Sequence, residues 1–421
     1  MSWVRRHRIR RYLASSLWIM PLAGIVLALV AAPLVRGLDA ATRWTLLGFT
    51  PEGARTALGA LVASTLGFIV FAFSMILLAV QIASGQLTPR IIAGVLRERS
   101  LKVCLTVFIF TNLYAIGALA RIENDAVPQL HVFIAILLSL VSVCLFLFLI
   151  DHVARMLRPA SIIGHVAAAG LRAIARVYPR PLTENAAPSP GGGAPSPTPV
   201  RTVRHTGPPG VLVAFDAGGL AAVARRADAV IALVPRAGDF VATEAPLFHL
   251  LSGGDGLRDD DLRDRVALAA EWEIHQDPAF AFRIIVDIAS KALSPAINDP
   301  TTAVIAIDHL QHLLTEVAHR ELADDGVGDA TGQRRLVVRT PDWDDYVSLA
   351  VTEIRLYGGS SIQVVRRLRA MLESLVETLP PGRAATLGEE LDVLHRMVAR
   401  LYLEPADLAR ADAADTQGMG V

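Results

Sequence analysis

The sequence predicts a multi-pass α-helical membrane protein with four transmembrane helices and a cytoplasmic α+β domain that is mostly helical. The first observation is that residues 12 to 150 contain four long apolar stretches without an Asp, Glu, Lys or Arg. The second is that arginine and lysine are concentrated on one side of these stretches. The third is that apolar residues after position 210 recur at strand and helix periods. A hydrophobic content of 53% and a mean hydropathy of +0.45 agree with a chain that is partly embedded in a membrane.

The four apolar stretches cover residues 12–35, 56–89, 103–120 and 126–150. A hydrocarbon core of ~30 Å is crossed by about 20 helical residues, so these lengths predict four spans. The first stretch follows a basic segment, as the core of a signal peptide would, but its length favours an uncleaved span. The second exceeds one crossing, and we expect it to tilt or to continue as a helix beyond the lipid.

The distribution of positive charge predicts the orientation of the spans. The loops on one side carry only Arg36, Arg43, Arg55 and Arg121, partly offset by acidic residues. The segments on the other side carry Arg5, Arg6, Arg8, Arg10, Arg11, Arg90, Arg97, Arg99, Lys102, Arg155, Arg158, Arg172, Arg176 and Arg180. The positive-inside rule therefore predicts that both termini and the whole second half are cytoplasmic.

Composition divides the chain into six parts. Residues 183–209 are dominated by Pro, Gly, Ser and Ala, a composition that cannot bury a core and is typical of a tether. Within the second half, residues 257–274 are predicted to form one helix. The six parts are a four-helix transmembrane domain (1–155), a basic juxtamembrane helix beside anionic lipids (156–182), the linker (183–209), a small β-rich subdomain (210–252), a helical cytoplasmic subdomain (253–405) and a polar tail (406–421).

A repeat of small and polar residues runs along the second span. Gly67, Ser74 and Gln81 recur every seven residues, and Ser84 follows near the cytoplasmic end. Such residues let membrane helices approach closely or hydrogen-bond across a bundle. The alternative is a polar seam in which Ser74, Gln81 and Ser84 line a transport path. The absence of Asp, Glu, Lys and Arg from the predicted spans disfavours a proton relay.

A polar segment between two apolar helices is the most informative part of the second half. Asp299 before Pro300 is a favourable helix start, because Asp caps helices well and Pro suits the first turn. The alternative is a polar or cation-binding pocket, since hard cations prefer oxygen ligands. The candidate residues for this pocket are His275, Asp277, Asp287, Lys291, Ser294, Asn298 and Asp299.

A stripe of titratable side chains lies further along the same region. His309, His312, Glu316 and His319 share one face of a predicted helix. Imidazole and carboxylate at this spacing can hold a transition metal, whereas the simpler interpretation is a face turned toward water.

Several classes of function have no support in the sequence. A formal net charge of zero disfavours nucleic-acid binding. Cys104 and Cys144 both lie in apolar stretches, which predicts neither a disulfide framework nor a thiolate metal site. The H-E-x-x-H, P-loop and G-x-S-x-G motifs are absent, so no catalytic residue or cofactor is predicted.

Two stretches resemble signature segments of a bacterial family that is catalogued as predicted membrane proteins with a domain of unknown function. They are FSMILLAVQIASGQLTPR (residues 73–90) and QDPAFAFRIIVDIASKALSPAINDPTTA (residues 276–303). The segment at residues 238–247 is also similar to that family, and the resemblance extends over nearly the whole chain. It implies a bacterial inner-membrane protein with a cytoplasmic domain. It transfers no catalytic residue, and the histidine stripe is not part of the family pattern.

The leading hypothesis is therefore a non-enzymatic integral membrane protein of the bilayer, working as a homo-oligomeric ion or solute channel or transporter. Its cytoplasmic domain would sense or gate. The second hypothesis is a membrane-tethered sensor or scaffold without transport activity, and an enzyme is the third.

Overall fold

The computed structural model describes residues 3, 6, 12–13, 16, 18–42, 48–86, 98–122, 127–182, 198–269, 277–322, 326–328 and 333–419. These residues form two compact units. The bundle unit lies between residues 10 and 158, and the C-terminal unit begins at Pro159 and also includes the N-terminal segment around Trp3. The described residues are mostly helical, and the strands lie in the C-terminal unit.

Five consecutive helices are long and apolar enough to cross a membrane. They are α1 (Ile19–Thr42), α2 (Pro51–Gln86), α3 (Arg99–Leu119), α4 (Gln129–Met156) and α5 (Pro159–Val177). The first four overlap the predicted apolar stretches and make up the bundle unit, although α1 extends past residue 35 to include Arg36 and Asp39. The fifth belongs to the C-terminal unit.

Helix α3 is the most enclosed helix of the bundle unit. Gly24 of α1 allows a close approach, because a Cβ there would lie 2.9 Å from Cγ2 of Thr106. Tyr114 packs with Leu58 of α2 near one end of the bundle, and Phe108 packs with other α2 residues nearer the other end. The outward surface of the bundle is largely Leu, Val and Phe, as expected for a surface whose solvent is lipid.

The C-terminal unit contains two sheets. Its first elements are β1 (Arg201–Arg204), β2 (Gly210–Phe215), α6 (Ala217–Arg226), β3 (Val230–Leu233), β4 (Phe240–Val241), β5 (Pro246–Ser252), α7 (Asp259–Arg263), β6 (Val266–Ala269), β7 (Gly326–Gly328) and β8 (Arg334–Val338). One sheet has the order β1-β5-β3-β8-β7, in which only β3 and β8 are parallel. The other is antiparallel with the order β4-β2-β6. Leu212, Ile231, Phe248 and Leu336 are fully or almost fully buried in the core that the two sheets share.

The single helix expected over residues 257–274 is wrong. Within the described residues 257–269 the five-residue α7 forms, and Val266–Ala269 then pairs with β2 as strand β6. A β-branched residue and the open edge of β2 favour the strand, and this tertiary pairing overrides the helical pattern. In the same way β1 forms within the segment expected to be linker, because β5 supplies its hydrogen-bonding partner. Residues 183–197 and 270–276 lie outside the described residues.

The helical part of the C-terminal unit follows. Its helices are α8 (Pro278–Ala292), α9 (Pro300–Ala318), α10 (Trp343–Gly358), α11 (Ile362–Thr378), α12 (Pro381–Leu401) and α13 (Pro405–Ala411). Helix α8 is central and packs against α5, α9 and α10. Aspartate side chains cap three of the helices: Asp277 at α8, Asp299 at α9 and Asp342 at α10.

Helix α5 packs within the C-terminal unit against α8 and α9. Its buried residues include Ile163, Gly170 and Ile174, whereas Arg172 and Arg176 are exposed. A Cβ at Gly170 would lie 2.7 Å from Cβ of Ala281 and 3.1 Å from Leu313, so only glycine fits at this crossing. One face of α5 is therefore buried by protein and the other carries the basic residues.

Trp3 of the N-terminal segment belongs to the C-terminal unit. Trp3 packs against a patch of the three-stranded sheet formed by Val213 and Ala214 of β2 and by Ala267 and Ala269 of β6.

Candidate functional site

The predicted polar pocket is distributed along the whole length of α8 and beyond it. Asp277 precedes the first residue of α8, and Asp299 follows the loop after its last residue. A helix of this length spans about 22 Å, at 1.5 Å per residue. The structure therefore does not bring these two carboxylates together, and the predicted residues fall into three groups. His275 lies outside the described residues.

The first group joins three helices near the start of α8. Asp277 is buried, and its carboxylate accepts a hydrogen bond of 2.9 Å from the Ala279 amide. The hydroxyls of Tyr178 and Tyr346 are 3.1 Å apart and both rings are buried. Burial raises the pKa of Tyr346 well above its ordinary value, and the neighbouring Tyr178 and Asp277 raise it further. Tyr346 is therefore protonated at physiological pH and acts as a hydrogen-bonding group.

The second group is a cluster of ion pairs in the middle of α8. Arg283 donates two hydrogen bonds, of 2.5 and 2.6 Å, to the carboxylate of Glu353 on α10. Its Nε donates to Asp287 at 2.6 Å. The hydrogen bonds to Glu353 are the main reason that the pKa of Arg283 is raised. Asp287 thus joins a half-buried cross-link between two helices.

Sequence reasoning missed Arg283 and Glu353 as members of this cluster. They are 70 positions apart, so no local spacing links them. The available signal was the pair Arg283 and Asp287 at i and i+4 within an otherwise apolar helix. A carboxylate that neutralises a cation in this way has limited capacity to hold a second one.

The third group forms the connection between α8 and α9. The backbone amides of Asn298 and Asp299 donate to Ser294 and Ala292 carbonyls at 2.9 and 2.8 Å, which closes the C-terminal end of α8. Asn298 adopts a positive φ of 50°, a conformation that Asn tolerates better than most residues. The Ser294 hydroxyl donates to the Lys291 carbonyl at 2.7 Å.

Asp299 is the N-cap of α9, as its position before Pro300 predicts. Its carboxylate accepts from the amide of Thr302 at 3.1 Å and from the hydroxyl of Thr302 at 2.5 Å. The turn residues 295–298 are exposed. The capping interactions thus account for the conformation of this segment, and its exposed turn is a surface feature with no enclosed site.

The histidine stripe lies on α9 and the residue that follows it. Glu316 pairs with Arg320, and Nδ1 of His319 is 2.7 Å from the Thr315 carbonyl. His309 contacts α5, where a Cβ at Gly164 would lie 3.9 Å from its ring. Burial lowers the pKa of His309, and His312 lowers it further against the opposing effect of Asp308. Within the described residues, no three His, Cys, Asp or Glu side chains come together as a metal site.

The predicted seam of the second span lies on the outside of the bundle unit. Gly67, Ser74 and Gln81 are all exposed on α2. The Ser74 hydroxyl donates to the Val70 carbonyl of its own helix at 3.0 Å. Ser84 belongs to α2, and its side chain is outside what the structure describes.

Other polar side chains lie inside the bundle unit, around α3. The Asn112 amide donates to the Thr65 hydroxyl and to the Val62 carbonyl of α2, both at 2.9 Å. The Ser142 hydroxyl of α4 donates to that of Thr111 at 3.2 Å. These neutral pairs connect α3 to α2 and α4, as expected where unpaired polar groups are costly. Sequence reasoning missed them, although an asparagine in the middle of an apolar span was a usable signal.

Comparisons with known proteins identify the family to which the chain belongs. A family model described as a predicted membrane protein, DUF2254, matches residues 14–374. The uncharacterized proteins Mb1321c of Mycobacterium bovis and Rv1290c of Mycobacterium tuberculosis are 27% identical to the chain, over 96% of its length and 80% of theirs. No solved structure matches the chain. The extent of the family match, from the first apolar stretch to α11, shows that the chain belongs to the DUF2254 family of predicted membrane proteins.

Proposed function

We propose that the protein is a homo-oligomeric ion or solute channel or transporter of the bacterial inner membrane, gated by a cytoplasmic domain. In this proposal α1 to α4 are the four spans, and both termini and the C-terminal unit are cytoplasmic. The α2 helices of several copies surround the transport path, with Ser74, Gln81 and Ser84 on the side that faces it.

The four-span topology is supported by charge and by packing. The segments before α1, between α2 and α3, and after α4 carry most of the basic residues of the membrane half. The fifth apolar helix, α5, has a face that is already occupied by α8 and α9. Trp3 precedes α1 and Pro159 follows α4, and both belong to the C-terminal unit. Four crossings between these two residues would return the chain to the side of the membrane where it began, which is consistent with both residues belonging to one unit.

The main support for the channel proposal is a contrast within the bundle unit between polar side chains that are buried and hydrogen-bonded and one that is exposed. Asn112, Thr65 and Ser142 are paired inside it, whereas Gln81 is exposed on α2. An exposed amide facing hydrocarbon is unfavourable, since lipid offers it no hydrogen-bonding partner. A second copy of the chain or a water-filled path supplies that partner. The small residue Gly67 on the same face leaves room for close approach.

Basic residues at the membrane boundary suggest the lipid environment. Arg158 at the end of the bundle unit is exposed, and so are Arg172 and Arg176 on α5. Each such residue near a membrane surface attracts anionic headgroups by about 1 kcal/mol. Anionic lipid is therefore a partner in this proposal, and we expect the flux to depend on the fraction of anionic lipid in the membrane.

The experiment is flux through proteoliposomes, measured for monovalent cations, anions and small solutes. Replacing both Ser74 and Gln81 with Leu is expected to abolish the flux, since the path loses its polar lining. The control is Val70→Leu, which places leucine at an exposed position of α2 and removes no polar group. Equal flux in the double variant and the wild type would contradict the proposed lining.

Cross-linking tests the oligomer separately. In a background without Cys104 and Cys144, Ser74→Cys is expected to form disulfide-linked dimers in membranes. Leu140→Cys, at an exposed position of α4, is the control and is expected to stay monomeric. The opposite pattern would place the subunit contact on α4 and would remove α2 from it.

A membrane-tethered sensor or scaffold is the second candidate. The observation that favours it is the hydrogen bond from Ser74 to its own helix, which satisfies this hydroxyl without water. For such a protein the Leu variants at Ser74 and Gln81 retain function in cells, and only changes in the C-terminal unit abolish it.

A further inference from the structure

Helix α11 buries three arginine side chains among its apolar residues. Arg366, Arg367 and Arg369 are 9%, 7% and 2% exposed. A buried guanidinium needs partners of opposite charge or carbonyl oxygens, because its desolvation is strongly unfavourable. The segments that supply these partners therefore indicate what kind of ligand the arginines of α11 can bind.

Arg367 is held by the neighbouring helix α9. Its Nε donates to the Asp308 carboxylate at 2.7 Å, and its NH2 donates to the Gln311 side chain at 2.6 Å. These partners belong to the regular helical framework of the C-terminal unit. These hydrogen bonds of Arg367 therefore fix α11 against α9.

The other two arginines are held by the segment Asp412–Gly418, which we call the C-terminal strap. Arg369 pairs with the Asp412 carboxylate and also contacts His395 of α12, with Glu373 at 4.0 Å. Arg366 donates from Nε to the Ala413 carbonyl at 3.0 Å. The buried charges of α11 thus obtain a carboxylate and a carbonyl from a segment without regular structure.

The strap lies along α11 as a short peptide with its own internal turn. The amide of Asp415 donates to the Arg366 carbonyl at 3.3 Å, and Gln363 donates to the Gly418 carbonyl at 2.5 Å. The Asp415 carboxylate accepts from the amide of Gly418 at 2.9 Å, which closes the turn. Gly418 has a positive φ of 67° and lies against Val304, in the first turn of α9.

Most strap residues are exposed apart from Asp415 and Gly418, and the strap is joined to the rest of the unit through the seven-residue α13. Its polar contacts with α11 are those of Arg369, Arg366 and Gln363. Another acidic segment can make the same contacts, because the arginines require an acidic partner and not this particular chain segment.

We propose that the strap-covered surface of α11 is an exchangeable docking site for an extended acidic segment of a partner protein. The chain's own strap is the resident occupant and competes with that segment. The site recognises a carboxylate at the position of Asp412 through Arg369, and backbone carbonyls through Arg366 and Gln363. A second carboxylate three residues later, at the position of Asp415, stabilises the turn that fits beside α9.

The test is peptide binding to the full-length protein in detergent, with a fluorescent peptide of the strap sequence ADAADTQGM. The variant Asp412→Asn with Asp415→Asn weakens the resident strap and is expected to bind the peptide at least about tenfold more tightly than the wild type. A peptide with Asn at both Asp positions is the matched control and is expected to lose most of the affinity.

Variants of the receiving surface complete the test. Adding Arg369→Met to the strap-weakened protein is expected to abolish binding, whereas adding Arg396→Met, at an exposed position of α12, is expected to leave binding unchanged. Thermal melting shows which variants remain folded. The proposal is overturned if the folded, strap-weakened protein binds the acidic peptide no better than the wild type does. It is also overturned if the Asn peptide binds equally well.

Discussion

Helices α4 and α5 follow one another in the chain, and both are long and apolar enough to cross a membrane, yet they expose different surfaces. Helix α4 exposes Leu137, Leu140 and Leu147 on the outside of the bundle unit and buries small polar residues such as Ser142. Helix α5 exposes Arg172 and Arg176 and buries isoleucine and glycine.

Helix α5 is the less apolar of the two, and its apolar residues are also arranged differently. A helix whose solvent is lipid is apolar on its outer face, whereas a helix in contact with water buries one apolar stripe. Mean hydropathy averages over both faces of a helix, and by that criterion α5 counts as a candidate membrane span. The contacts of α5 with α8 and α9 distinguish the two cases, and they lead to the four-span proposal.

The largest effect is expected at Gly170, where α5 crosses α8. Gly170→Ala introduces a Cβ that would lie 2.7 Å from Cβ of Ala281. The resulting overpacking is expected to lower the free energy of unfolding of the C-terminal unit by ~1–3 kcal/mol. Thermal melting of the purified protein, followed by intrinsic fluorescence, measures this change.

The matched control is Gly164→Ala on the same helix. The nearest atom to its new Cβ is in the His309 ring, at 3.9 Å, which is an ordinary contact. Stability is expected to stay the same or to rise, because alanine favours a helix by up to about 1 kcal/mol. Equal effects of the two substitutions would contradict the packing of α5 in the C-terminal unit and would favour α5 as a fifth membrane span.

A smaller effect is expected inside the bundle unit. Asn112→Leu removes the hydrogen bonds to Thr65 and Val62, which connect α3 to α2. Comparable bonds between membrane helices contribute about 0.6 kcal/mol on average and at most about 1.7 kcal/mol. A lower melting temperature in detergent is therefore expected. The control is Leu137→Ile, at an exposed position of α4, which should leave melting unchanged.

Much of the fold could be predicted from local patterns. The four apolar stretches became α1 to α4, since a long uncharged segment has few alternatives to a helix in a membrane. Asp299 caps α9 because Asp followed by Pro specifies a helix start through its nearest neighbours. These features depend on residues that are close in sequence, and a single chain contains the information.

Features that depend on distant partners could not be predicted. Arg283 meets Glu353 and Arg369 meets Asp412 only after the helices have packed, and no spacing in the sequence records these contacts. Strand β6 forms within an expected helix because β2 offers it an edge. The seven-residue repeat of the second span was visible, but the face it occupies depended on packing around α3.

The smallest effect is expected in the pH dependence of stability. It depends on His309, the residue of α9 that contacts the buried face of α5. Burial holds the pKa of His309 below its ordinary value of 6.5, so the unfolded chain binds a proton more readily than the folded one. Stability should therefore be complete above the ordinary pKa and should fall as the pH drops through the range between the ordinary and the lowered value.

His309→Gln is expected to remove part of this loss, seen as a flatter dependence of melting temperature on pH between about 5 and 7. His312→Gln is the control, because His312 is exposed on the same helix. Its substitution should leave most of the slope in place, apart from the small influence that its charge has on His309. A slope that His312→Gln removes and His309→Gln does not would show that the α5-facing ring is hydrated, and it would weaken the packing argument on which the four-span topology rests.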